Sequence, residues 1–254
     1  MTRLAPDPPF RLAITGRAGR MSARLRDLAS ADSRFELIGS LGARGGETAL
    51  QRDVRAAAPV HVVVDFTNES GANHALALAR AAGAALLVGT TGLPRGILDE
   101  MGDLARSRPV MIAPNTSLGA AVMTRLVEIA ARCLSGRCDI DIIERHHVHK
   151  RDAPSGTARR LADAIGRATG AELPPERIHA VRAGAIIGEH EAAFTAPEEI
   201  LKIFHQATSR DVFARGALDI AAWLPGRPPG MYGIDDVLGW HVDGGTDSPP
   251  QSGR

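Results

Sequence analysis

The chain has 254 residues, 44% hydrophobic and 23% charged, with a formal net charge of +1 at pH 7. This suits an ordinary globular protein with room for one large or two modest domains, and so balanced a charge argues against nucleic acid as the main partner. No apolar run has membrane length and no signal peptide is expected; Cys133 and Cys138 lack the spacing of a zinc site or disulfide framework, so free thiols in a reducing cytoplasm are expected.

Residues 1–9 read as a disordered leader. Phe10 to Thr15 reads as a strand, followed at once by Gly16-Arg17-Ala18-Gly19-Arg20-Met21-Ser22 and a helical pattern through Leu28. Strand, glycine turn and helix form the context of a dinucleotide-binding fingerprint. Gly16 serves the tight turn, Gly19 lets the backbone approach a pyrophosphate, and the helix N-terminus faces the negative charge. Ser22, a small residue, takes the third glycine position; an ordinary strand–helix turn is the plainer alternative. Phe35 to Leu41 reads as a second strand. It ends in Leu41-Gly42-Ala43-Arg44, without the acid that usually holds a ribose 2′-hydroxyl. Arg44 or Arg20 would suit a 2′-phosphate, so NADPH is expected at least as readily as NADH.

A short helical pattern over 46–58 precedes the near-continuous apolar run Val60 to Phe66, which reads as a buried parallel strand. A helix over 70–82, a strand over 85–88, a helix over 95–106 and a strand over 110–112 follow. The alternation predicts a doubly wound parallel sheet, with ligands at the C-terminal ends of its strands. Asp65-Phe66-Thr67, Gly89-Thr90-Thr91 and Ala113-Pro114-Asn115-Thr116 all fall on that rim. A helix over 118–134 comes next, then a strand over 139–147, a helix over 155–168, a loop over 169–177, and strands within Ile178–Thr195 and Glu199–Thr208. This predicts a second domain of α+β type with a mixed or antiparallel sheet. A helix over 211–224 and the segment Met231 to Leu238 are expected to return to the first domain, before a disordered tail over 243–254. The division expected is therefore 1–116, completed by about 211–242, and 117–210.

The densest chemistry lies in Glu144-Arg145-His146-His147-Val148-His149-Lys150-Arg151-Asp152-Ala153-Pro154-Ser155-Gly156-Thr157-Ala158. Three histidines and a lysine end a strand, and Ser155-Gly156-Thr157 opens a helix whose free N–H groups form an anion cradle. Proton donors beside such a cradle suggest an anionic small molecule that gains or loses a proton while held. A metal site and a solvated turn are the alternatives. Strand parity puts His147 and His149 on one face and His146 and Lys150 on the other, which splits a three-histidine ligand set, and the lysine disfavours a divalent ion.

These residues carry a resemblance. The chain resembles the 4-hydroxy-tetrahydrodipicolinate reductase family, also called dihydrodipicolinate reductases, of bacterial lysine and diaminopimelate biosynthesis. The match includes the Gly16 to Met21 turn, Asp65-Phe66-Thr67, Gly89-Thr90-Thr91-Gly92 and Asn115-x-Ser117-x-Gly119. It continues through the Glu144–Ala158 stretch, Arg182-Ala183-Gly184, Gly188-Glu189-His190 and Ser209-Arg210-x-x-Phe213-Ala214-x-Gly216-Ala217. The histidine–lysine segment is highly specific to the family; the glycine turn is not. The resemblance implies a cytoplasmic homotetramer that uses NADH or NADPH to reduce a cyclic dicarboxylate with loss of water. It implies His146 as the acid/base residue and Lys150 as the proton donor, with His147, Gly156 and Thr157 on the substrate carboxylates and no metal. The implied cofactor contacts are Gly16, Arg17, Ala18, Gly19, Arg20, Met21, Gly89, Thr90, Thr91, Ala113, Pro114, Asn115 and Thr116. This chain departs from the family at Ser22, at the missing acid after the second strand, and in a short segment between Gly45 and Val60. Two other functions share the first domain: an aspartate-dehydrogenase-like reductase, which has no need of the histidine–lysine segment, and a non-catalytic nucleotide sensor, which has no need of His146 and Lys150 together.

Overall fold

The computed structural model describes residues 9–16, 19–41 and 59–240. The helical expectation over 46–58, the leader through residue 8, the tail, Arg17, Ala18, Gly42 and Arg44 lie outside the described residues. In chain order the elements are β1 (Phe10–Thr15), α1 (Arg20–Ser30), β2 (Phe35–Leu41), β3 (Val62–Asp65), α2 (Glu69–Ala82), β4 (Ala85–Val88), α3 (Arg95–Ala105), β5 (Pro109–Ile112), α4 (Leu118–Leu134) and β6 (Asp139–His146). There follow α5 (Gly156–Thr169), a 3₁₀ turn, β7 (Ile178–Arg182), β8 (Glu189–Thr195), β9 (Ile200–Gln206), α6 (Asp211–Trp223), β10 (Gly230–Tyr232) and α7 (Ile234–Val237).

Six strands form one sheet in the order β10-β5-β4-β3-β1-β2, all parallel. Alternate side chains of its central strands feed two separate cores, which is why these strands read as unbroken apolar runs. Leu12, Ile14, Val62 and Val64 pack with Leu25 of α1 and Ala217 and Leu218 of α6, whereas Ala13 and Val63 pack with Leu76 of α2 and Met101 of α3. The chain reverses strand order between β1 and β3, the place where such sheets receive a ligand.

The second sheet runs β7-β6-β8-β9, with β6 parallel to β7 and antiparallel to β8, and β8 antiparallel to β9. It is the mixed sheet expected of the second part of the chain. One face buries Ile142, Ala192 and Phe194 against Val127 of α4 and Leu161 of α5. The span 178–195 divides into β7 and β8 because the chain turns through Ala183–Gly188, with Gly184 at φ +49°.

Helix starts are set locally. Asn68, Ser117 and Ser155 cap α2, α4 and α5, their side chains accepting N–H bonds from Gly71, Ala120 and Ala158. Residues 113–117 carry the chain from the first sheet to α4, and α6 lies against them. A β-carbon on Gly216 would stand 1.8 Å from the Thr116 carbonyl oxygen, so only glycine permits that approach. Thr116 Oγ1 donates to the Phe213 carbonyl at 2.6 Å.

Candidate active site

The histidine strand β6 ends at His146, one residue earlier than the alternation suggests. His147 to Lys150 form a turn, closed by Lys150 N–H donating to His147 O at 3.1 Å and held by Val148 N–H on Gly184 O at 3.3 Å. The two-face parity expected beyond His146 is therefore overturned: a turn does not alternate. His147, Lys150 and His146 all line one cavity of about 680 Å³, with Asn115, Gly156 and Thr157. Among the described residues no group of three or more His, Cys, Asp and Glu side chains could hold a metal ion.

Glu144 is the hub of this end of β6. It is fully buried, and Arg182 from β7 holds it through two bonds of 2.9 and 2.8 Å. The same carboxylate meets His146 Nδ1 at 2.5 Å and accepts the Ser155 N–H at 3.0 Å. Burial works to raise its pKa, but Arg182 and His146 outweigh it and hold Glu144 below the usual carboxylate range. For His146, burial outweighs the attraction of Glu144 and keeps the imidazole below its ordinary basicity. His146 is thus aimed through its Nδ1, leaving the other nitrogen near Gly188, where an added β-carbon would stand 3.1 Å from Nε2.

Lys150 Nζ is half-buried and 2.8 Å from Asp152 Oδ1, which holds the Asp152 carboxyl below its usual range. Burial, then Arg210, His149 and Lys150, hold His147 below 6.5. Its Nδ1 is shielded and has no partner among the described residues. Beside these groups α5 begins. Its first N–H groups, at Gly156 and Thr157, have no carbonyl within the helix to meet, so an anion entering the cavity finds donors in place. Arg160 and Arg210 also line the cavity, giving it a cationic wall suited to a dianion.

The rim of the first sheet faces the same cavity through Thr91, Pro114 and Asn115. Gly16 turns at φ +81°; α1 then starts at Arg20 with Gly19 as its N-cap and no side-chain cap. Ser22 is fully buried with its hydroxyl unpartnered among the described residues. An uncapped helix start after a left-handed glycine, at the sheet's switch point, fits a dinucleotide's pyrophosphate. Arg20 is exposed beside it, and Met21 packs against the first core. The other expected contacts differ in what they can offer. Gly89 has no room for a side chain, because a β-carbon would stand 1.9 Å from the Phe66 ring. Thr90 Oγ1 donates to buried Asp65 at 2.5 Å, Ala113 is buried, and the Thr116 hydroxyl is spent on Phe213. Asn115 joins the two halves: its Nδ2 donates to Thr157 Oγ1 at 3.1 Å, and its Oδ1 accepts the Ser117 N–H at 2.9 Å.

Sequence reasoning left Glu144, Arg182, His190 and Asp65 without roles. Arg182 stands 38 residues from Glu144, which it holds, and His190 stands 35 residues from Ser155, which it meets. Their signal was present only as fragments of the matched pattern.

A doubly wound nucleotide sheet facing a cationic, proton-bearing cavity on a mixed sheet defines the class of two-domain nicotinamide-dependent reductases and dehydrogenases. The family model described as "Dihydrodipicolinate reductase, N-terminus" matches residues 10–116, and that described as "Dihydrodipicolinate reductase, C-terminus" matches 119–238. A 4-hydroxy-tetrahydrodipicolinate reductase from Anaeromyxobacter dehalogenans is 40% identical over 90% of this chain and 97% of its own length. One from Xanthomonas campestris pv. campestris is 41% identical over 91% and 98%. A dipicolinate-bound dihydrodipicolinate reductase from Paenisporosarcina sp. TG-14 shares the fold, with a TM-score of 0.76 at 22% identity over 91% of this chain and 100% of that one. The chain belongs to the dihydrodipicolinate reductase family.

Proposed function

We infer that this chain reduces 4-hydroxy-tetrahydrodipicolinate to tetrahydrodipicolinate with loss of water, using NADPH or NADH, in lysine and diaminopimelate biosynthesis. The observation that carries the reading is the meeting of His146, Lys150 and the α5 N-terminus on one cavity that the nucleotide sheet also lines. The rim residues would hold a nicotinamide cofactor, whose chemistry when bound would be hydride donation. Lys150 supplies the proton that the reduced ring then needs, and His146, oriented by Glu144, relays it. One substrate carboxylate lies on the Gly156 and Thr157 N–H groups and the other on the cationic side with His147. Gly16, Arg17, Ala18, Gly19, Arg20 and Met21 hold the pyrophosphate side of the cofactor; Gly89, Thr90, Thr91, Ala113, Pro114, Asn115 and Thr116 hold the nicotinamide side, largely through backbone.

In this reading residues 1–116, completed by about 211–242, form the nucleotide domain and 117–210 the substrate and assembly domain. The open face of the second sheet carries Val181, Ile200 and Phe204, with Phe204 52% exposed, which supports burial in a homotetramer. The cytoplasm is the expected compartment of such a biosynthetic enzyme. NADPH serves at least as well as NADH, since arginine rather than an acid follows β2 in the sequence.

The test is cofactor oxidation followed in the ultraviolet, with the substrate made in place by the preceding synthase from pyruvate and aspartate semialdehyde. Rapid oxidation that depends on that substrate is expected with both cofactors run side by side. Cofactor binding without oxidation would overturn the reading, and a strong NADH preference would overturn the cofactor assignment.

A further inference from the structure

Glu144, His190 and His205 form one row across the second sheet: Glu144 pairs with His190 between β6 and β8, and His190 with His205 between β8 and β9. Each of the three reaches a helix start. Glu144 Oε1 accepts the Ser155 N–H at 3.0 Å, His190 Nε2 meets Ser155 Oγ at 3.1 Å, and His205 Nε2 meets Ser117 Oγ at 3.4 Å. Ser155 and Ser117 are the N-caps of α5 and α4. The sheet therefore grips both helices that wall the cavity, and it grips them by their caps.

His190 has no part in the proton transfer assigned to His146 and Lys150. It is 6% exposed, and its ring stands edge-on to His146, with centroids 5.2 Å apart at 75°. Burial, and next the neighbouring His146, push it down to about 4, so it is neutral near pH 7 and adds no charge beside Lys150, Arg160 and Arg210. Its Nδ1 is buried without a partner among the described residues. An aromatic hydrocarbon would fill the space without that cost. What a histidine adds is the bond from Nε2 to Ser155.

That bond matters because of what Ser155 does. Its Oγ accepts the Ala158 N–H at 3.2 Å, and its backbone N–H is taken by Glu144, so both ends of the residue are fixed. The free N–H groups of Gly156 and Thr157 follow it directly. We propose that His190 is a positioning residue for the substrate: by holding the Ser155 hydroxyl from the sheet side, it sets the Gly156–Thr157 donor pair at its working distance from His146 and Lys150. The proposal rests on the reading of function above. A neutral histidine and a glutamine both present a hydrogen-bonding atom at this reach; phenylalanine does not.

The experiment measures dipicolinate binding to the NADPH complex, together with steady-state KM and kcat, for the full chain and for His190→Phe, His190→Gln, Ser155→Ala and the His190→Phe/Ser155→Ala pair. His190→Phe should raise the dipicolinate Kd and the substrate KM about tenfold while kcat and the NADPH Kd stay within about threefold, the scale of one lost hydrogen bond. His190→Gln should recover most of the loss, and the double variant should be no worse than the worse single one, because both remove the same bond. Wild-type dipicolinate affinity in His190→Phe, no recovery in His190→Gln, or additive losses would each overturn the proposal. Should His190→Phe fail to fold, unchanged affinity in Ser155→Ala would overturn it and a tenfold loss there, with near-normal His190→Gln, would support it. A wild-type chain that neither binds dipicolinate nor oxidises NADPH would overturn the functional reading itself, a different result from binding that survives the loss of His190.

Discussion

Acid should unfold this protein partly through His190, and the size of that contribution follows from its surroundings. Its imidazole falls from the ordinary 6.5 to about 4, chiefly by burial, with His146, His205 and Lys150 opposing the charge and Glu144 favouring it. A depressed histidine stays neutral in the folded chain while the unfolded chain takes up a proton. The contribution is therefore fully present above 6.5 and is lost as the pH falls toward 4. The loss amounts to about 2 kcal/mol by pH 5 and about 3 kcal/mol by pH 4. His146, His147 and His205 are displaced in the same direction, so total acid sensitivity is no test. The informative quantity is the difference between wild type and His190→Gln in urea unfolding free energy, measured at several pH values between about 7 and about 4.5. The wild type should lose stability faster, and the two curves should converge by about 2 kcal/mol on the way down. Parallel curves would show that burial does not hold His190 neutral.

Lys150→Ala and His146→Ala should each lower turnover by about two to four orders of magnitude with NADPH binding kept, and Lys150→Arg should not restore it, because a guanidinium hardly gives up its proton; near-normal steady-state rates in both alanine variants would remove these residues from the chemistry. Glu144→Gln leaves Arg182 without its buried charge partner and removes what favours a proton on His146, so urea unfolding should show a loss of about 3 kcal/mol and the acid limb of kcat/KM should move to lower pH. An acid limb that stays in place would separate His146 from Glu144. Gly216→Ala forces a β-carbon to within 1.8 Å of the Thr116 carbonyl and should cost more than about 2 kcal/mol in the same assay, against no loss if α6 can slide freely.

The parallel sheet was legible because its strands bury both faces: Val62, Val63 and Val64 are all inaccessible, and a short β-branched apolar run between helical patterns reads as a buried strand. The cavity was legible at its densest point, where His146, Lys150 and the start of α5 lie close in sequence. What could not be read was whatever depended on distant pairing. The end of β6 is fixed by its partners on β7 and β8, not by its own alternation, so parity was carried past His146 into a turn. The bonds from His190 to Ser155 and from Arg182 to Glu144 span 35 and 38 residues, and nothing local marks either side chain as turned toward the site. Thr116 sat on the expected rim, yet its hydroxyl answers a carbonyl on α6, 97 residues away.

The pattern Asn115-x-Ser117-x-Gly119 shows how several such demands settle on one short segment. It lies where the chain leaves the nucleotide sheet and enters the first helix of the substrate side. Asn115 spends both halves of its amide, one on Thr157 at the anion cradle and one on the Ser117 N–H. Ser117 caps α4 and meets His205, and Gly119 leaves the room that His205 needs, since a β-carbon there would stand 3.0 Å from its Nε2. Thr116, between them, ties the same segment to α6, whose Gly216 permits the contact. Contacts from three elements, α5, β9 and α6, thus fix the position of residues 115–119. An aspartate at 115 could still accept from Ser117 but could not donate to Thr157 unless protonated, and a serine could not reach both. Asn115 thus ties the rim of the first sheet to the start of α5 through one residue that both donates and accepts.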